Sequence, residues 1–198
     1  MPETTRVSVE LAEERDVAAI LALSNWAAAN TPANFALEPE PLAEWERSFA
    51  ASRARYPWLV ARADGEVAGF AKASPHRARG AYLWTAEVSV YVDHHVHGRG
   101  VGRALYRLLI PLLRAQGYVT LLAGITTPNP ASERLHEAFG FRRCGSYDRA
   151  GWKFGRWHDV GYWQCHLHPE GAPPPPPRPV AEVWPAVAAA ADREAGAT

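Results

Sequence analysis

Cysteine is scarce in this chain: Cys144 and Cys165 are the only two in 198 residues. Two thiols make no disulfide framework for a chain of this size, and neither stands in a Cys-x-x-Cys spacing, so both read as inert thiols in a reducing compartment. Net charge is missing too, because 21 Lys and Arg balance 21 Asp and Glu. Bulk affinity for nucleic acid comes from basic side chains neutralising phosphates, and nucleic acid is therefore not expected as a partner. No run approaches the roughly 18 apolar residues that span a bilayer, and no basic segment followed by an apolar one opens the chain. The expectation is a cytoplasmic protein with no membrane partner. No internal repeat is visible.

What is present is enough apolar material for one sizeable core, 47% of the residues. A single domain is expected over residues 1–167. From residue 168 the composition changes, and the run of prolines at 173–177 favours extended polyproline II, which donates no backbone hydrogen bonds. Residues 168–198 read as a proline-rich tail: a linker, a strap across the chain's own domain, or a segment that docks into an aromatic groove of a partner. The alanine-rich end of the tail is either a short helix or disordered.

Along the domain, residues 7–11 alternate as a strand does, and an acidic stretch then introduces a helix through Val17, Ile20, Leu21 and Trp26. A break at residues 30–35 puts Phe35 on a loop, and a second helix runs from Leu42 past Trp45 and Phe49. Two apolar runs flank Asp64-Gly65, which is a hairpin signal, and a third strand is expected from Tyr82 to Val92. The connection carries Arg77 and Arg79. A helix follows, with a kink or break expected at Pro111 and a cap at Gly117. A buried strand over residues 119–125 leads to a helix start at Asn129-Pro130, the residue types that suit an N-cap and a first helical position. Closing strands are expected over 142–147 and 160–166, joined by a loop at 151–159.

The stretch His97-Gly98-Arg99-Gly100-Val101-Gly102 lies between strand and helix patterns. Three glycines at alternate positions leave backbone N–H groups uncovered, and the next helix adds its free first-turn N–H groups and positive dipole end. That suits a pyrophosphate. Read alone, the stretch is either such an anion cradle or an ordinary connection; it lacks the Lys-Ser/Thr ending of a P-loop and the spacing of a dinucleotide fold. His94, His95 and His97 beside it suggest zinc, but no fourth ligand is evident, and no metal is expected.

Taken together, residues 87–92, the loop 97–102, the strand ending in Ile125, Asn129-x-x-Ser132 and Leu135-His136-Glu137-x-x-Gly140-Phe141 resemble the GNAT family of acetyl-CoA-dependent N-acetyltransferases. Residues 56–61, Trp84-Thr85-Ala86-Glu87 and residues 155–161 are similar to its phosphinothricin and methionine sulfoximine branch. The resemblance implies an α/β (α+β) fold, with a mixed, mostly antiparallel sheet splayed between its fourth and fifth strands and helices on both faces. It implies acetyl-CoA in the splay: Val90, Tyr91 and Val92 line the pantetheine, Gly98, Arg99, Gly100, Val101, Gly102 and Arg103 receive the pyrophosphate, and Asn129 contacts the pantetheine arm. His97 stands where Gln or Arg is usual in the family. A homodimer is also implied, with residues 157–160 near the partner's site.

The chemistry requires a base, because an amine with a lysine-like pKa near about 10 is protonated at neutral pH. Glu87 matches the branch's catalytic glutamate, and burial in its apolar strand is expected to raise its pKa. A free N–H of the fourth strand would hold the oxyanion. His136, seven residues after Asn129 where many members have Tyr, is a candidate general acid or a packed helix histidine; Tyr106 is a second candidate acid. Phe35, Arg77, Arg79, Tyr82 and Ser89, with Tyr91 and Tyr106, match the positions around the acceptor amino acid. Two guanidinium groups suit a carboxylate with a phosphinate or sulfoximine. Arg77 replaces an expected Lys, and Asn25-Trp26-Ala27-Ala28 departs from a more polar run. The readings this leaves are transfer to the α-amino group of a small amino acid of the phosphinothricin or methionine sulfoximine type, transfer to another small amine, or a non-catalytic acetyl-CoA-binding module, against which the presence of Glu87 argues.

Overall fold

The computed structural model describes residues 7–196. In chain order the elements are β1 (Val7–Leu11), α1 (Val17–Asn30), α2 (Leu42–Ser52), β2 (Trp58–Ala63), β3 (Glu66–Pro75), β4 (Thr85–Val92), α3 (Val101–Gln116), β5 (Thr120–Thr127), α4 (Pro130–Ala138), β6 (Arg142–Lys153), β7 (Arg156–His166) and α5 (Val180–Gly196). Short 3-10 turns occupy Glu14–Asp16, Gly80–Tyr82 and His94–Val96. The strands form one sheet in the order β1-β2-β3-β4-β5-β7-β6.

Every neighbouring pair is antiparallel except β4 with β5, which run parallel for only three residue pairs, Thr85 with Thr120 through Glu87 with Leu122. Beyond that point β4 stays on β3 as far as Val92, and β5 stays on β7 as far as Thr127. The sheet is therefore split from Glu87 onward, as the expected splay requires.

Alternation along the strands divides the core in two. Leu59, Ala71, Val88, Leu121 and Ile125 turn to α3, where Leu105, Leu109 and Leu113 cover them. Trp58, Val60 and Phe70 turn the other way, to Ile20 of α1 and Trp45 and Phe49 of α2. Each of the larger aliphatic and phenylalanine side chains among them contributes about 1.5–3 kcal/mol through burial. Glu87, Ser89 and Tyr91 alternate with Val88 and so belong to the α1–α2 side.

The β2–β3 turn holds Asp64 and Gly65 at φ of 52° and 89°, the left-handed pair that a two-residue hairpin needs. Three expectations change. β4 begins at Thr85, because residues 80–82 form a 3-10 turn. α3 runs unbroken through Pro111: Pro111 and Arg107, whose carbonyl loses its partner, both lie on the exposed face, where the missing bond does not fall in the core. The expected loop at 151–159 is instead the tip of a long hairpin that turns at Phe154 and Gly155, with φ of 51° and 72°.

The prolines lie across their own domain. They bring no N–H groups, and the domain supplies donors: Trp84 Nε1 to Pro174 O at 2.9 Å and Gln116 Nε2 to Arg178 O at 2.8 Å. Val180 N–H then donates to Ala54 O at 2.9 Å, and α5 buries Val180 and Val183. No helix among the described residues is long and apolar enough to cross a membrane.

Candidate active site

The split in the sheet opens a cleft of about 1140 Å³. Ser89, Val90, Tyr91 and Val92 form one wall, Gly124 to Thr126 of β5 the other, and the glycine loop and the start of α4 close one end. Gly98 and Gly100 sit at φ of 79° and 83°, and a β-carbon at either would meet no protein atom within 4 Å. The loop thus presents bare backbone to the cleft beside the N-terminus of α3. A β-carbon on Gly102 would lie 3.1 Å from Leu135 Cδ2, so that glycine lets α3 and α4 approach. Arg103 lines the cleft, its guanidinium 5.9 Å from the Phe139 ring centre. Val101 turns its side chain into the core, and Arg99 is exposed outside the cleft lining. A bare loop, a helix N-terminus, Arg103 and an unpaired strand edge suit a pyrophosphate followed by a pantetheine arm.

His97 folds back, its Nε2 3.0 Å from Val92 O. The neighbouring histidines do not diverge as two residues of an extended strand would, because residues 94–96 form a 3-10 turn. Their rings lie 3.8 Å apart, and Asp93, His94 and His95 bring ligand atoms within 4.8 Å of one another, largely in the open. His94 also stacks on Trp26 of α1 at 4.0 Å. Asn129 caps α4, its Oδ1 accepting from Ser132 N–H at 3.2 Å, and lines the cleft with Ser132 and His136.

At the fork, Glu87 Oε1 stands 2.7 Å from His76 Nδ1. The Glu87 side chain is 44% exposed, so the burial expected of it is not found; its partner is a histidine absent from the sequence reading. That partnership depends on the β3–β4 register, which sets Ser74 opposite Glu87 and His76 just beyond. His76 meets Tyr82 edge-on at 5.2 Å, and Arg77 Cζ lies 5.7 Å from the Tyr82 ring centre. Burial, then Tyr147 and Glu87, raises the pKa of Tyr162 on β7, while Arg77 opposes. Glu87, Arg77 and Tyr82 are thus brought together. Arg79 is exposed at the head of the 3-10 turn.

Ser89 pairs with Lys72, whose ammonium lies 4.7 Å and 4.3 Å from the ring centres of Trp45 and Trp58. Burial lowers the Lys72 pKa, and Glu40 opposes. Tyr91 stacks on Phe70 at 5.2 Å; burial, then Glu40, pushes it up to about 12. Phe35 is held from the β6–β7 hairpin: a β-carbon on Gly151 would collide with its ring, and buried Lys153 donates to Ala28 O, Asn34 O and Ala36 O at 2.5, 2.6 and 2.7 Å.

Tyr106 and His136 form a buried pair, Oη to Nε2, at 2.8 Å. His136 Nδ1 lies 2.8 Å from Ser132 O, which only accepts, so Nδ1 carries the proton and Tyr106 O–H donates to Nε2. Burial lowers the His136 pKa, the Ser132 bond opposing, and pushes the Tyr106 phenol far above its usual value. Both His136 nitrogens are thus engaged, and the Tyr106 hydroxyl is committed to the imidazole.

Residues 20–141 match the model of the Acetyltransferase (GNAT) family. The chain is 42% identical to a phosphinothricin N-acetyltransferase of Streptomyces viridochromogenes over 182 residues, 92% of this chain and 99% of that protein. It is 39% identical to an L-methionine sulfoximine/L-methionine sulfone acetyltransferase of Pseudomonas paraeruginosa over 84% of this chain and 98% of that protein. A GNAT superfamily phosphinothricin acetyltransferase from Sinorhizobium meliloti, solved in complex with acetyl-CoA, superposes with a TM-score of 0.79 at 30% identity, covering 85% of this chain and 96% of that one. With the split sheet and glycine loop, these likenesses establish that the chain belongs to the GNAT acetyltransferase family and is an N-acetyltransferase of the phosphinothricin and methionine sulfoximine branch.

Proposed function

We propose that this enzyme transfers the acetyl group of acetyl-CoA to the α-amino group of a small amino acid of the phosphinothricin or methionine sulfoximine type. The observation that carries the reading is the position of Glu87, at the fork of the sheet, with the free β4 edge leading away from it and Arg77 and Tyr82 beside it. The named acceptors of the relatives add to it.

Acetyl-CoA supplies the acyl group as a thioester. The backbone of residues 98–103 and the Arg103 side chain hold the pyrophosphate, the backbone of Val90, Tyr91 and Val92 pairs with the pantetheine, and Asn129 contacts its arm. Arg77 and Arg79 pair with the acidic groups of the acceptor, and Phe35, Tyr82 and Ser89 shape its pocket. Glu87 takes one proton from the acceptor ammonium, directly or through water, and frees the amine to attack. A β4 N–H donates to the oxyanion. On collapse, the second proton of the attacking nitrogen passes to the leaving sulfur, so Tyr106 and His136 brace α3 against α4 and need not ionise. No metal enters this scheme.

Two identical chains are proposed to pair through the β6–β7 hairpin. Tyr147, Trp152, Phe154 and Trp157 are each more than half exposed there, and β6 is an edge strand. Sedimentation at micromolar concentration checks the dimer. A cytoplasmic location goes with this reading.

The test is release of free thiol from acetyl-CoA with a panel of amino acids, sulfoximines, sulfones and polyamines. Acetylation of phosphinothricin or methionine sulfoximine well above the rest is expected. Preference for a polyamine, or no acceptor-dependent release, would overturn the reading.

A further inference from the structure

The contact between His76 and Glu87 has no part in the mechanism above. His76 directly follows the last residue of β3, and its Nδ1 stands 2.7 Å from Glu87 Oε1. The imidazole is 19% exposed against 44% for the carboxylate. The ring is thus the better fixed of the two, and the Tyr82 edge contact at 5.2 Å adds to its restraint. The charged and titrating groups around it are Glu87 from β4 and Arg77 and Tyr82 from the β3–β4 connection, and the charges of Glu87 and Arg77 also act on Tyr162 of β7.

We infer that His76 is a positioning residue for the general base: its Nδ1–H pins Glu87 Oε1, leaves Oε2 for the acceptor ammonium, and through its own charge sets the acid limit of activity. The inference rests on Glu87 acting as that base. A rigidly placed donor fixes one oxygen of an otherwise half-exposed, rotatable carboxylate, the role that an orienting partner plays in other acid–base pairs. Imidazole is also the side chain that changes charge between about pH 5 and 8. Neutral, the ring orients the carboxylate. Protonated, it turns the same contact into an ion pair, which favours the ionised carboxylate and makes it a weaker proton acceptor. Activity therefore falls on the acid side as His76 gains its second proton.

The experiment compares the wild-type protein with His76→Asn and His76→Phe, following acceptor-dependent thiol release against pH and acetyl-CoA binding by calorimetry. Asn places an N–H donor near the position of Nδ1 without a titrating ring, and Phe keeps the ring against Tyr82 without a donor. His76→Asn is expected to hold kcat within about threefold at high pH and to extend activity to lower pH. His76→Phe is expected to lose about 10- to 100-fold in kcat, with acetyl-CoA Kd unchanged. Wild-type kcat in His76→Phe, or an unshifted acid limb in His76→Asn, overturns the inference while leaving the acetyltransferase reading intact. Absence of release by the wild-type protein overturns both. If His76→Phe does not fold, the acid limb of His76→Asn alone decides.

Discussion

Glu87 and Leu122 are the last residues paired before β4 and β5 part. One residue earlier on β4, Ala86 is buried between joined strands; from Val88 onward the strand lines the cleft. The carboxylate thus stands at the point where the free edge of β4 begins, the position the proposed general base requires. The proposed function rests on where the pairing stops.

The glycine loop is expected to tolerate side chains poorly for two separable reasons. Gly100 lies at φ 83°, so Gly100→Ala strains the backbone by about 1–2 kcal/mol, read as a lower Tm. The added methyl also occupies the bare cradle, so acetyl-CoA Kd measured by calorimetry rises about tenfold, which corresponds to about 1.4 kcal/mol. An unchanged Kd would remove the pyrophosphate from this loop.

Lys153 ties the hairpin to the loop that carries Phe35. Replacing it with Met leaves the carbonyls of Ala28, Asn34 and Ala36 without their shared donor, at a cost of at least about 3 kcal/mol in unfolding free energy. Steady-state kinetics should show KM for the acceptor rising more than KM for acetyl-CoA, because the freed loop carries Phe35, which is proposed to shape the acceptor pocket.

Tyr106→Phe distinguishes bracing from acid catalysis. Loss of the hydroxyl leaves the buried Nε2 of His136 without its donor and should cost about 1–3 kcal/mol in stability, with kcat changed by less than about threefold. A fall in kcat of about a hundredfold or more in a folded variant would restore Tyr106 as the acid.

Burial holds the His136 imidazole below its ordinary value, with the Ser132 carbonyl opposing. The unfolded chain gains that proton as pH falls through about 6.5, and the folded chain only at lower pH. The contribution is therefore complete above about 6.5 and is lost as pH falls below it. Denaturant melts at about pH 7.5 and 5.5 should show the loss, and His136→Asn should reduce the difference between them.

Much of the frame is legible from local chemistry. Asp64-Gly65 specifies its own hairpin, Asn129-Pro130 its own helix start, and the alternating glycines their bare loop, because each depends on residues within one turn. The contact of His76 with Glu87 is hidden, since it arises from the register of two strands that nothing local sets. Pro111 misleads for a related reason: its cost depends on whether the Arg107 carbonyl faces water, which only the packing of α3 decides. The aromatic residues of 152–157 resemble a loop in sequence until Trp152 is seen paired with Trp157 across the hairpin. Glu87 is identifiable by type and motif, but its half-exposed setting is not.

The most direct measurement is acceptor-dependent thiol release by Glu87→Gln at neutral pH with a slow acceptor, made alongside acetyl-CoA binding on the same preparation. A general base at the fork predicts kcat lowered by about 10²–10⁴ with Kd for acetyl-CoA unchanged. Wild-type kcat in Glu87→Gln would contradict it.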